Sequence, residues 1–141
     1  WLEVDMRSES KEELAKLDAR FLEIVKDAVA TENKARNTRF GEISADVKLI
    51  GDRPTGATRE DAEIVRATTA AVKAAGYTPI LGASSTDSNM PISLGIPAVT
   101  IGSGGTGGRA HALDEWIDVE KTQSVRGQAV GLAAVLAMAG V

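Results

Sequence analysis

No cysteine occurs anywhere in the chain. A disulfide framework and thiolate metal sites are therefore excluded, and any metal would have to be held by histidine and carboxylates. Histidine itself occurs once, at His111. Aromatic residues make up only 4% of the sequence, so a core must rest on Ala, Val, Ile and Leu. A net charge of −4 leaves no basic footprint for nucleic acid. The longest apolar run, Ala129 to Val141, is too short and too rich in Ala and Gly to span a bilayer. No signal peptide is visible, and the cytoplasm is the favoured compartment. The first residue, Trp1, already lies in a strand-like pattern, which reads as a cut and leaves targeting unread.

Apolar residues make up 43% of the 141 residues, enough for a packed core in one domain or in two small pieces of larger ones. Leu2, Val4 and Met6 alternate with Glu3, Asp5 and Arg7, which predicts a strand covered on one face. Ser10 with Glu13 forms a capping box. Leu14, Leu17, Phe21, Ile24, Val25 and Ala28 follow at helical spacing. Asn33 to Arg39 reads as a polar loop. Ile43, Ala45, Val47 and Leu49 alternate again with polar residues and predict a second half-buried strand. Two strands and a helix rarely stand alone in water, so this unit needs further strands from other sequence or another chain.

The run GDRPTGA, Gly51 to Ala57, marks a domain boundary. Thr58 with Asp61 then reads as a helix start. Ile64, Val65, Thr68, Val72 and Ala75 form its buried stripe, and Gly76 its stop. Thr78 to Leu81 is expected to be a short buried strand and Ser88 to Leu94 a short helix with Pro91 in its first turn. Gly95 ends that helix. Pro97 to Ile101 reads as a strand of the kind found inside parallel sheets. A long Ala/Val/Leu helix is expected from about Val119, with Gly127 and Gly131 on one face for close packing. The order of elements argues an α/β layer, and no internal repeat is present.

The chemistry-bearing groups concentrate between Gly82 and Trp116. His111 follows GSGGTGGRA and precedes ALDEW. It reads either as a loop histidine satisfied by a hydrogen bond or as a ligand for zinc or cobalt, with Asp114 or Glu115 orienting its second nitrogen. One histidine does not make a metal site, because catalytic zinc usually takes three protein ligands. Gly102 to Gly108 reads either as a flexible connector or as a source of N–H groups for a carboxylate or phosphate. It matches neither a dinucleotide fingerprint nor a P-loop. Arg109 is either solvated or paired with a carboxylate. Asp87 is a helix cap or a cleft-facing group, and Asn89 lies beside it. Ser85 lacks the G-x-S-x-G elbow of a nucleophile. Arg53 before Pro54 is a candidate hinge or ligand contact. The polar loops after Leu81 and Ile101 are expected at one sheet edge, with His111 at the mouth of a cleft there.

The stretch SSTDSNMPISLGIPAVTIGSGGTGGRAHALDEW resembles the closing motif of the M20 family of metallopeptidases, and its glycine-histidine segment is closest to the peptidase T-like branch. WLEVDMRS resembles the VDLRS-type strand in the inserted lid of the same family. The resemblance implies a fold of class α/β: residues 1–54 as the second half of an α+β lid, or dimerisation, domain, and residues 57–141 as the C-terminal part of a zinc-binding catalytic domain. It implies His111 as a metal ligand and puts Asp87 and Asn89 in the substrate-side motif, where Arg109 and Arg53, from the reading of the residues above, are further candidate substrate-side groups. The family's G-G-T/S-D-A motif stands here as S-S-T-D-S. The family's other site residues, a His in an H-x-D motif, a bridging Asp and two acidic residues of which one Glu serves as general base, lie upstream of the lid and are not in this sequence.

The chain is therefore expected to be a fragment of a two-zinc exopeptidase or amidohydrolase, with cobalt or manganese as alternative metals. It is expected to be inactive alone. Its implied partners are a peptide or acyl-amino-acid substrate, the missing N-terminal half and a second copy through the lid, with no nucleic acid or membrane. Two rival readings stand beside this one: a non-catalytic oligomerisation or small-ligand module, and an anion-binding enzyme built on the glycine loop.

Overall fold

A computed structural model describes residues 1–141. The chain divides into two units, Trp1–Gly56 and Ala57–Val141. The division falls inside the Gly51–Ala57 breaker run. Each unit is described by itself.

The first unit is organised on α1, Lys11–Ala35. Ser10 caps it in extended conformation, and its Oγ accepts the Glu13 N–H at 3.2 Å. The reciprocal arm of the capping box is absent. The Ser10 N–H is taken by Ser8 Oγ at 3.1 Å, and the Glu13 carboxylate pairs with Lys16 at 2.6 Å. Leu14, Phe21, Val25 and Val29 form a half-buried stripe, while Leu17 and Ile24 are exposed. The helix runs on through Asn33–Ala35, where the sequence suggested a loop. The Asn33 side chain explains the extension: both of its polar atoms bind the main chain of Ile43.

The two strands expected in this unit form no ladder with any segment. Alternation specifies which face a strand would bury, but pairing needs a second edge, and none is presented to Leu2–Arg7 or Ile43–Ile50.

The second unit contains α2 (Glu63–Ala74), α3 (Asn89–Ser93), β1 (Gly107–Gly108), β2 (Trp116–Ile117) and α4 (Lys121–Ala139). Helix α2 starts later than Thr58 and Asp61 suggested. The Thr58 hydroxyl is engaged elsewhere: it donates to the Ala98 carbonyl at 2.6 Å and accepts from the Ala98 N–H at 3.1 Å. Asp61 is held by Arg59 at 2.7 Å. The N-cap falls on Ala62, which offers no side-chain bond.

Helix ends follow the glycines. At Gly76, φ is +82°, the Tyr77 N–H reaches the Val72 carbonyl and the Gly76 N–H reaches that of Lys73. This pair of bonds is the Schellman closure, which satisfies carbonyls that a helix end would otherwise orphan. The same pair closes α3 at Gly95, from Ile96 to Pro91 and from Gly95 to Ile92.

Helices α2 and α4 pack together and hold the buried core: Val65, Thr68, Gly127, Val130 and Ala134. The Arg126 guanidinium lies 5.0 Å from the Tyr77 ring centroid, and the Tyr77 hydroxyl bonds Gln123 at 2.6 Å. The expected buried strand Thr78–Leu81 and the expected parallel-type strand Pro97–Ile101 form no ladder, and Ile80 is 90% exposed. The only sheet is the antiparallel pair β1–β2, in a stretch read from sequence as loop. The class is mixed α/β and helix-rich. No helix is long and apolar enough to cross a membrane.

The chain exposes 11317 Å². A compact monomer of this length exposes about 7,000 Å², and two separate domains of these sizes roughly 8,000 Å². The surplus is carried in part by large apolar side chains, among them Trp1, Ile80 and Leu113.

Candidate functional site

Part of the glycine loop is packed against α4. Gly104 has φ +80°, and a Cβ built on it would lie 2.6 Å from the Gly127 Cα and the Gln123 carbonyl oxygen of α4. A Cβ on Gly127 would collide in turn with the Gly104 main chain. Loop and helix therefore meet backbone to backbone. A Cβ built on Gly131, one turn further on, would meet the Ile101 Cδ1 at 3.3 Å. The close packing expected on the Gly127–Gly131 face is present.

Beyond this contact the chain turns into the β1–β2 hairpin. Gly107 pairs with Ile117 and Gly108 with Trp116. The Asp118 N–H extends the pairing to the Thr106 carbonyl at 2.7 Å. The Trp116 indole lies over Gly108, where an added Cβ would come within 2.9 Å of Nε1. Two adjacent glycines carry little strand propensity, which is why this ladder was not read from the sequence.

The loop of the hairpin, residues 109–115, carries Arg109, His111, Asp114 and Glu115. Arg109 and His111 adopt left-handed backbone, with φ 58° and 66°. The Ala112 N–H donates to the Arg109 carbonyl at 2.9 Å, and the Glu115 N–H to the Ala112 carbonyl at 3.1 Å. Arg109 Nε meets Asp114 Oδ1 at 2.8 Å. Glu115 Oε2 accepts the His111 main-chain N–H at 3.3 Å. His111 is exposed. Neither acid orients its ring, as the sequence had suggested: Asp114 holds a guanidinium and Glu115 holds a main-chain amide.

A second polar cluster surrounds α3. Asn89 Oδ1 accepts the Thr86 N–H at 2.8 Å, and Thr86 Oγ1 accepts that of Ser88 at 3.2 Å. The hydroxyl of Thr100 lies 2.8 Å from that of Thr86 and 2.6 Å from that of Ser88. Asp87 is exposed, and its carbonyl accepts the Met90 N–H at 3.3 Å. The N-cap position is Ser88, not Asp87. Thr100 was missed in the sequence, because an isolated threonine in an apolar segment carries no signal of the partner it will meet; Thr58 was read as a helix start and bonds Ala98 instead. Arg53 belongs to the first unit.

Directly after the hairpin, Glu120 caps α4. Its carboxylate accepts N–H groups from Thr122 (2.8 Å), Gln123 and Ser124 (3.2 Å). These bonds, Gln123's foremost, hold its pKa below the ordinary carboxylate value. The acid fixes the helix terminus on which the glycine loop rests.

As for metal, His111 can supply one imidazole nitrogen, and no group of three His, Asp or Glu residues converges in this chain. A zinc ion held by His111 would need further ligands, since catalytic zinc usually takes three from protein. No protein-family model matches the sequence, and no curated protein matches it either.

Proposed function

We propose that the chain is the C-terminal part of an M20-type zinc metallopeptidase or amidohydrolase of the peptidase T-like branch. In this reading residues 1–54 are half of a lid and residues 57–141 the end of the catalytic α/β domain. The observation that carries the proposal is His111, exposed on a hairpin loop with its main chain held by Glu115. A neutral imidazole presented in this way donates one lone pair to a metal. The bound zinc ions would polarise the scissile amide carbonyl and activate water.

Arg109 is braced by Asp114, so a substrate carboxylate would share a guanidinium already fixed in direction. Asp87 and Asn89 belong to the α3 cluster and are proposed to face the substrate. Arg53 is proposed to act from the lid side. The large exposed apolar surface supports the need for further polypeptide: the missing half on the second unit, and a second copy along the first.

The test is zinc binding and hydrolysis of small peptides and N-acyl amino acids, with and without a polypeptide supplying the upstream half. The 141-residue chain alone is expected to be inactive. Adding the upstream half should restore turnover, and His111→Ala should then abolish tight zinc binding. Metal-dependent turnover by the chain alone would place the active site elsewhere.

A further inference from the structure

Left-handed backbone at non-glycine residues persists only where the surroundings over-determine it. Arg109 and His111 are the two such residues in the chain. The contacts that fix them come from the far side of the same loop. The Arg109 Nε–Asp114 contact of 2.8 Å ties the first loop residue to the sixth. The bond from the His111 N–H to Glu115 Oε2 ties the third to the seventh. The Ala112 N–H bond to the Arg109 carbonyl closes the turn between them. Both acids act on the frame of the loop and leave the His111 imidazole exposed.

We infer that Asp114 and Glu115 are positioning residues for His111: they hold the loop in the one geometry that offers the imidazole to a divalent cation, without being ligands themselves. The inference rests on the reading of His111 as a metal ligand. The Arg109–Asp114 pair is exposed, with side-chain exposures of 64% and 59%. Exposed pairs shift an equilibrium by about fivefold at most, so modest effects are expected from each acid.

The experiment uses the 141-residue chain with zinc chloride as probe. The His111 imidazole resonances are followed by NMR during the titration, and exchange of the His111 amide is measured without metal. Asp114→Asn and Glu115→Gln are each expected to speed amide exchange and to weaken zinc binding about two- to fivefold. Asp114→Glu should recover most of the loss. Asp46→Asn, the same charge change outside the loop, should alter neither readout. Tyr77 resonances report that the α2–α4 packing is intact in every variant.

Unchanged amide exchange and unchanged zinc affinity in both variants would overturn the inference. So would an equal loss of zinc affinity on introducing Asp114→Asn into a His111→Ala background, because the acid would then be a ligand in its own right. If zinc left the wild-type His111 resonances unmoved, the cation part of the inference would fall for this chain, while the proposed function is decided by the separate test with the upstream half. Faster exchange in the variants would still uphold the role of the acids in fixing the loop.

Discussion

Asn33 grips the main chain of Ile43 at both of its polar atoms: Nδ2 donates to the carbonyl and Oδ1 accepts the N–H, each at 2.9 Å. A side-chain amide here does what a neighbouring strand would do, satisfying the donor and the acceptor that one residue of an extended segment shows to one side. Asn33→Ala should destabilise the first unit by about 1–3 kcal/mol, since two half-buried main-chain groups lose their partner. Asn33→Asp keeps the acceptor and loses the donor, so its cost should be smaller but not zero. Urea unfolding of the two variants checks the order, and identical midpoints for both variants and wild type would contradict it.

The glycines of α4 should respond differently to the same substitution. At Gly127 a methyl group meets the main chain of Gly104, which cannot rotate away. Overpacking of this kind costs about 1–3 kcal/mol. At Gly131 the neighbour is the flexible end of Ile101 at 3.3 Å, and alanine gains about 1 kcal/mol of helix propensity there. Gly127→Ala should therefore lower the melting temperature while Gly131→Ala leaves it level or raises it. Equal effects at the two sites would show that the Gly104–Gly127 contact does not constrain the fold.

The cap at Glu120 gives the stability of the second unit a pH dependence. Its pKa is lowered in the folded state, first by the Gln123 N–H and then by that of Thr122. A depressed carboxylate contributes stability above its unfolded pKa and loses it as pH falls through the folded value. The carboxylate is open to solvent on a half-buried residue, so the effect is screened and should shrink in high salt. Thermal melts of wild type and Glu120→Gln should differ at pH 7 and converge as the pH drops below the ordinary carboxylate range. A gap that stays constant into strong acid would rule out the charge as its source.

What could be read from the sequence was what neighbouring residues decide among themselves. Ser10 caps α1, and Gly76 and Gly95 stop α2 and α3, because each motif is complete within a few residues. The Thr58 cap failed for the opposite reason: its hydroxyl meets Ala98, forty positions away. The four expected strands had the right alternation or apolarity but no edge to pair with. The hairpin was invisible because its first strand is a pair of glycines. His111, Arg109, Asp114 and Glu115 lie within seven positions of one another and share the hairpin loop, which by itself says nothing of their roles. Which acid holds which group was not legible, since it depends on how a seven-residue loop folds back on itself.

The contact between Gly104 and Gly127 also sets a rule for how this chain can vary. A collision between side chains can be relieved by shrinking either one, so such pairs can drift together through intermediate sizes. Here each partner is already main chain, and nothing smaller exists to substitute on the other side. No change at one position can compensate a side chain introduced at the other, so the two sites have no joint path away from glycine. The hairpin bearing His111 is thereby joined to α4 at a point where the two can separate only by moving apart as whole segments.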